Sequence, residues 1–388
     1  MHWIKGVIVT FFISLATIVL IDLLGYQFKD KLRVFIHGYG IEIENFSRGY
    51  PIGHFQRDED IGFDITPNLK AKTSTKPSEY GSYDVWGNSY GCFDDEWSDE
   101  QLTGGIYLAG DSFTWGYVRY EKKFGTLLEE ILKKKVYACG VTHTGQGHQF
   151  EKFKRLHTKR LKPKLVIVNI VSNDLDNDFF FPHTDIIDGV MVENIEWCGS
   201  VFDSNFEYTK LSHDELKDFV SKKRAEPQSI KTLLRQYSLI ANIIAKLSKS
   251  LIHTPNRVIE NTVKQDEACY REVYAAGLSN IKEGYSNSNL TKANRNYISK
   301  WLNHSMLHDY KILFSFIPSK DPSRDATYKY IENYITENSG TYSRFDDFCD
   351  VSCREKKVVY HQFDGHFNEV GNELYSQYLA EVIVAELR

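Results

Sequence analysis

Cysteine is scarce in this 388-residue chain, with six residues at Cys92, Cys139, Cys198, Cys269, Cys349 and Cys353. They are too few and too scattered for a disulfide framework. Cys349 and Cys353 could bridge locally, but both are expected to be unpaired. None stands at a zinc-ligand spacing from a histidine. A surplus of positive charge is also lacking. Lys+Arg 47 against Asp+Glu 52 leaves a formal charge of −5, which carries no nucleic-acid footprint. There is no internal repeat and no low-complexity tract. What remains is ordinary globular composition, 42% hydrophobic and 26% charged, in a length that fits one large domain with additions or two domains.

The apolar residues concentrate first at the amino terminus. Gly6 to Ile21 is uncharged and mostly aliphatic or aromatic, and Leu23, Leu24 and Tyr26 extend the run past Asp22. A bilayer span takes roughly 17–25 residues, so residues 1–27 are expected to form an uncleaved transmembrane anchor. A cleaved signal peptide and a buried soluble helix are the rival readings. The only small-x-small site, Ser14-Leu15-Ala16, is followed by more apolar sequence, which argues against cleavage. Lys5 precedes the run while Lys29, Lys31 and Arg33 follow it. Taken literally this favours a cytoplasmic body, but it does not settle the side.

From about Asn45 to Trp97 short aromatic stretches alternate with Gly, Asn and Pro, as in Tyr83-Asp84-Val85-Trp86-Gly87-Asn88. This predicts short strands and loops in a β-rich lead-in over 28–104. Gly105 to Gly116 then reads as a buried strand ending in Gly110-Asp111-Ser112, followed by a helix with Phe124, Leu127, Leu128, Ile131 and Leu132 on one face. Further apolar strands are predicted at Lys135–Cys139, Leu165–Val171, Ile312–Ile317 and Val358–Tyr360, separated by amphipathic helices. Alternating fully apolar strands and helices indicate a parallel sheet covered on both faces. The expected fold is therefore an α/β three-layer sandwich over 105–388, closed by a helix from Val370 to Leu387. Residues from about 182 to 296 break the rhythm. They read as a mainly helical insertion over the site, with helices at Thr232–Ile252 and Glu267–Ile281.

Four pieces of this chain occur in a telling order: Gly110-Asp111-Ser112, the glycine-rich loop Gly140 to Gly147, Ser172-Asn173-Asp174 after a strand, and Asp364-Gly365-His366 before the last helix. Together they resemble the blocks of the SGNH (GDSL-type) hydrolase family, of the membrane-anchored bacterial type with an SGNH/flavodoxin-like sandwich. The resemblance implies Ser112 as nucleophile and His366 as its base, with Asp364 orienting the imidazole. It implies an oxyanion hole from the Ser112 backbone N–H, the Asn173 amide and a loop N–H near Gly145. It implies no metal and no organic cofactor. The chain departs from the family pattern in three places. Ser172 precedes Asn173 where a glycine or a Gly-x pair is usual. The final block is Asp-x-His instead of Asp-x-x-His, with Phe363 where the usual aspartate would stand. In the loop, alignment on Gly140 places the oxyanion position on His143, and Gly145 takes it only with a two-residue shift.

The activity so implied is hydrolysis of short-chain esters, acetyl first, with a carbohydrate as bearer. Partners would be an acylated small molecule or glycan and, through the anchor, a membrane, with the body periplasmic or extracellular. An O-acyltransferase acting on an envelope polysaccharide is the alternative within the fold. A catalytically silent carbohydrate-binding or scaffold protein is the alternative outside enzymology. The glycan expectation rests on Trp197, Tyr208, Tyr237, Tyr270, Tyr274 and Tyr285, since aromatic faces with polar neighbours suit sugar rings. The same residues could simply pack the insertion.

Overall fold

The computed structural model describes residues 2–28, 32, 50–74, 83–198, 207–225, 230–251, 289–320, 328–349, 359–361 and 365–387. Among the sequence expectations, Asp364, Cys269, Cys353, Tyr270, Tyr274, Tyr285 and the helix at 267–281 lie outside the described residues, as do the side chains of Trp197 and Tyr208.

Helix α1 (His2–Gln27) carries the amino-terminal apolar run. Its segment Val9–Gln27 is long and apolar enough to cross a membrane, and Phe11, Phe12, Leu20 and Leu23 are exposed on it. The lead-in follows as two antiparallel hairpins, β1 (Phe55–Asp58) with β2 (Gly62–Ile65) and β3 (Leu69–Ser74) with β4 (Tyr83–Gly87).

Strand β5 (Ile106–Ala109) opens the main sheet and runs into the one-turn helix α2 (Ser112–Trp115). Helix α3 (Phe124–Leu132), strand β6 (Val136–Ala138), helix α4 (Gln146–Lys159) and strand β7 (Leu165–Ile170) come next, then helix α5 (Asp174–Phe180). After the insertion the chain resumes with helix α9 (Asn289–His308), strand β12 (Lys311–Phe316), helix α10 (Tyr328–Glu337), strand β13 (Thr341–Arg344), the short α11 (Phe345–Phe348) and α12 (Glu369–Leu387). The five strands pair in the order β13-β12-β7-β5-β6, and every pair is parallel.

Strand alternation divides the core in two. Tyr107, Ala109, Val166, Val168, Phe314 and Phe316 face Phe150 and Phe153 of α4, Trp301 of α9 and Ile331 of α10. Ile106, Leu108, Leu165, Ile167 and Leu313 face Leu128 of α3, Phe345 of α11 and Tyr375, Leu379 and Ile383 of α12. Because side chains on a strand point alternately to opposite faces, each short strand feeds both layers, and this is the three-layer sandwich expected.

Three expectations need correction. The fifth strand is β13, whose Thr341 and Tyr342 are exposed. An edge strand buries little and does not read as an apolar run. Val359-Tyr360 is not a sheet strand, since Tyr360 makes only a single antiparallel bridge with Phe367. The insertion opens with two hairpins, β8 (Thr184–Ile187) with β9 (Val190–Glu193) and β10 (Ile195–Cys198) with β11 (Glu207–Lys210), ahead of helix α6 (His213–Ala225). The single helix expected at Thr232–Ile252 is two, α7 (Ile230–Tyr237) and α8 (Leu239–Leu251), and they pack on the amino-terminal helix. There the backbone N–H of Ile240 donates to Asp22 Oδ1 (3.0 Å), and Tyr237 lies 5.6 Å from Tyr26.

The cysteines also differ from expectation. Cys92 and Cys139 form a disulfide with Cα atoms 4.7 Å apart, and Cys349 is disulfide-bonded as well. Among the described residues no cysteine is free.

The lead-in is stitched to the sheet by buried polar groups. Asp94, wholly buried, accepts from Trp97 Nε1 (2.8 Å), Tyr120 OH (2.8 Å) and the Ala138 N–H (3.1 Å). Lys152 of α4 pairs with Asp64 and donates to the Gly91 carbonyl (2.6 Å), while Arg155 grips Asp58 with two bonds (2.6 and 3.1 Å). Each buried charge thus has a partner, which is the condition for tolerating it in a core.

Candidate active site

Between β5 and β7 the direction of chain progression across the sheet reverses, since β6 lies on one side of β5 and β7 on the other. A crevice forms at the carboxyl ends of strands at such a reversal. Ser112 follows β5 and Asn173 follows β7, so both expected residues stand at its mouth.

The turn that presents Ser112 is tightly built. A side chain at Gly110 would strike Thr114, so glycine is required there by close approach. Asp111 caps α2, with Oδ1 accepting the Phe113 N–H (2.9 Å). Asn169 on β7 holds the turn from below, its amide donating to the Ala109 carbonyl (3.0 Å) and to Thr114 Oγ1 (2.9 Å). Asn169 Oδ1 in turn accepts from Tyr375 OH on α12 (2.7 Å). Trp115, fully buried, plugs the underside into an aromatic cluster with Tyr50, Tyr83 and Phe93 of the lead-in.

Ser112 Oγ lies 2.7 Å from His366 Nε2 and 3.1 Å from Asp111 Oδ2, and the residue is 6% exposed. His366 sits between aromatic rings, 4.3 Å from Tyr117 and 4.9 Å from Phe113. Its backbone is pinned because the His366 carbonyl accepts from the His361 N–H (2.9 Å). The next residue but one, Asn368, accepts the Gly371 N–H (2.9 Å) and starts the final helix. Asp364 itself lies outside the described residues.

Asn173 stands at the N-terminal boundary of α5 without a side-chain capping bond, and it is among the groups that draw the Asp111 carboxyl back down. The loop after β6 continues the sheet ladder through the Val141 N–H to the Gly110 carbonyl (3.0 Å). Two residues on, His143 has φ +58°, a left-handed conformation that favours glycine. Gly145 instead faces α5, where a side chain would run into Asp178 and the Asp174 carbonyl.

Beneath the serine lies a set of buried carboxyls that motif reading did not single out. Burial pushes Asp111 up, against the pull of the Phe113 N–H and the His366 charge. Asp174 is raised well above the carboxylate range by burial, then by Asp111 and Asp178. Its Oδ2 accepts from Gln146 Nε2 (3.0 Å) and the Val171 N–H (3.0 Å). Asp178, one turn further along α5, is pushed up to about 7 by burial. It accepts from the Gly147 N–H (2.8 Å) and Asn294 Nδ2 (2.7 Å), tying the glycine loop to α9. The i, i+4 spacing of Asp174 and Asp178 puts both on one helix face, the only signal in the sequence that they act together.

Asp178 makes stability depend on pH. Between the ordinary carboxylate value of 3.8 and about 7, the folded chain keeps a proton that the unfolded chain releases. The resulting stabilisation is full below about pH 4 and is lost as pH rises through about 7. Asp178→Asn is expected to remove this dependence. An amide keeps the acceptor for Gly147 and can donate to Asn294 Oδ1, which is buried without a partner, once that side chain flips. Urea unfolding of variant and wild type at pH 5 and pH 8 should show the variant gaining relative stability at pH 8. An identical difference at both pH values would refute the assignment.

No protein-family model and no curated protein matches the chain. Among solved structures it is similar to a lipolytic protein of the G-D-S-L family from Desulfitobacterium hafniense, at 10% identity and TM-score 0.39, over 72% of this chain and 99% of that one. It is similar to an acetyl xylan esterase at 10% identity and TM-score 0.37, over 72% and 99%. The esterase EstA from Pseudoalteromonas sp. aligns at 9% identity and TM-score 0.35, over 73% and 98%.

Proposed function

We propose that this chain is a serine hydrolase of the SGNH type that cleaves short-chain acyl esters. The observation that carries the reading is the 2.7 Å approach of Ser112 Oγ to His366 Nε2, made across 254 positions of sequence at the carboxyl edge of a parallel sheet. In the proposed reaction Ser112 Oγ attacks the ester carbonyl as its proton passes to His366 Nε2. Asp364, two residues before His366, is assigned to hold the imidazole in the tautomer with Nε2 free. The oxyanion is held by the Ser112 N–H, the Asn173 amide and a loop N–H, which we place at His143 in preference to Gly145 because of its left-handed backbone. Collapse of the intermediate expels the alcohol, which takes the proton back from His366. Water then enters by the reverse path and releases the acid.

Phe113, partly exposed beside His366, supplies an aromatic face near the reacting atoms, in keeping with a small acyl group on a sugar. Tyr237, whose ring lies against Tyr26 of the amino-terminal helix, no longer supports that reading. Helix α1 is proposed as a membrane anchor. The disulfides support a body outside the cytoplasm, because such bonds persist in oxidising compartments. The test uses full-length chain taken from salt-washed membranes, since intact chain in the soluble fraction would remove the anchor. p-Nitrophenyl esters of increasing chain length are run beside an acetylated glycan. Fastest turnover of acetyl, with acetate released from the glycan, is expected. A preference for long acyl chains with no acetate released would reject the substrate class. A mass gain on an acceptor sugar would point to acyl transfer.

A further inference from the structure

The opposite edge of the sheet carries a second cluster of chemistry-bearing side chains. Helices α4 and α9 run side by side and end together there, the one leading to β7 and the other to β12. His157 sits in the last turn of α4, and His304 and His308 face it from successive turns of α9. The three rings lie 4.2 to 5.1 Å apart by centroid. One nitrogen from each histidine falls within 4.8 Å of the others. Burial is graded, with His157 buried, His304 half-buried and His308 exposed.

We propose that His157, His304 and His308 form a three-histidine site for a divalent transition-metal ion, zinc first, with a fourth position open to solvent beside His308. Imidazole is the ligand these ions share. Bonds of about 2.0–2.1 Å in a tetrahedron place ligand nitrogens about 3.4 Å apart, so the rings must close by roughly 1.5 Å. The exposed His308 has room to supply that movement. Tyr310 OH stands 3.0 Å from His304 Nδ1, the outer partner that fixes a metal-binding histidine and turns its Nε2 toward the ion. Phe150 and Phe153 wall the rings from behind, and two helix carboxyl ends add partial negative charge. Burial and their neighbours press His157 and His304 down to about 4, so both are neutral with lone pairs available at pH 7.

Two cations oppose the ion, Lys154 near His304 and Lys162 near both His157 and His304. Lys162 Nζ donates to the His157 carbonyl (2.8 Å) and lies 3.4 Å from His157 Nδ1, which leaves Nε2 as the ligand atom. The bound ion would staple the ends of α4 and α9 and take no part in chemistry at Ser112, which sits at the other edge of the sheet.

The test is calorimetric titration of chelator-stripped full-length protein with Zn²⁺, and with Co²⁺ read by visible absorption. One saturable equivalent and a four-coordinate Co²⁺ band are expected. His308→Ala, a change at an exposed position, should weaken binding by more than the roughly 10–100-fold that loss of an outer partner costs, and should abolish the band. Its melting temperature in chelator should match wild type, which shows that it is folded. His304→Ala should behave alike in binding, and if it fails to fold His308→Ala decides alone. Absence of saturable uptake by wild type, or equal uptake by His308→Ala, would show that the histidines only pack against their aromatic neighbours.

Discussion

Ser112→Ala is expected to lower ester hydrolysis by on the order of 10⁴-fold or more, with the protein still folded. The hydroxyl is the only group on α2 placed against His366 Nε2, and no neighbour can replace it as nucleophile. His366→Ala should cost about as much, because without an acceptor for its proton the hydroxyl is a weak nucleophile. The two act as a unit, so the double variant should be little slower than either single one. Removing the Ser112 hydroxyl takes one partner from Asp111, a loss of about 1 kcal/mol that a domain of this size survives. The measurement is kcat/KM on p-nitrophenyl acetate for all three variants, with circular dichroism to verify folding. Activity within tenfold of wild type in Ser112→Ala would end the serine reading.

Loss of the Cys92–Cys139 disulfide should have the largest effect on stability. The bond closes a loop with a sequence separation of 47 and ties the lead-in to the residue that leaves β6. In the chain-entropy treatment a loop of that length is worth about 4 kcal/mol. The Cys92→Ala, Cys139→Ala double variant should therefore melt roughly 5–10 °C lower than wild type. Activity should fall as well, because Cys139 immediately precedes Gly140. A Cβ placed on Gly140 would come within 2.6 Å of the Thr114 carbonyl carbon and the Trp115 nitrogen, so no side chain fits there. Thermal unfolding followed by near-ultraviolet circular dichroism reads both tertiary packing and midpoint. A shift below 1 °C would mean that the cross-link contributes nothing.

The layered architecture was legible because it depends on short-range pattern. Ile106–Ala109 and Leu165–Ile170 are buried along their whole length, and a run of apolar residues is the direct trace of a strand covered on both faces. The polar edge strand β13 left no such trace. Neither did the division of Thr232–Ile252 into two helices, where the broken pattern around Ser238 sits inside an otherwise continuous apolar periodicity. The expected site residues Ser112 and Asn173 sit in short motifs that follow β5 and β7, whereas Asp111 and Asp174 entered only as members of those motifs and Asp178 not at all. Their environment comes from burial, which no local spacing encodes.

Local composition alone determined the apolar first helix, the alternation of strand and helix, the two-faced burial of the central strands and the turn that holds Ser112. These follow from side-chain periodicity and from steric rules acting over a few residues. Only the tertiary structure decided that Cys92 meets Cys139, that α8 lies along the amino-terminal helix, that His157 stands opposite His304 and His308, and that Ser112 comes within 2.7 Å of His366. Each of those meetings joins residues far apart in the chain. Their proximity is produced by the packing of whole layers, and a linear pattern holds no record of the distance between layers.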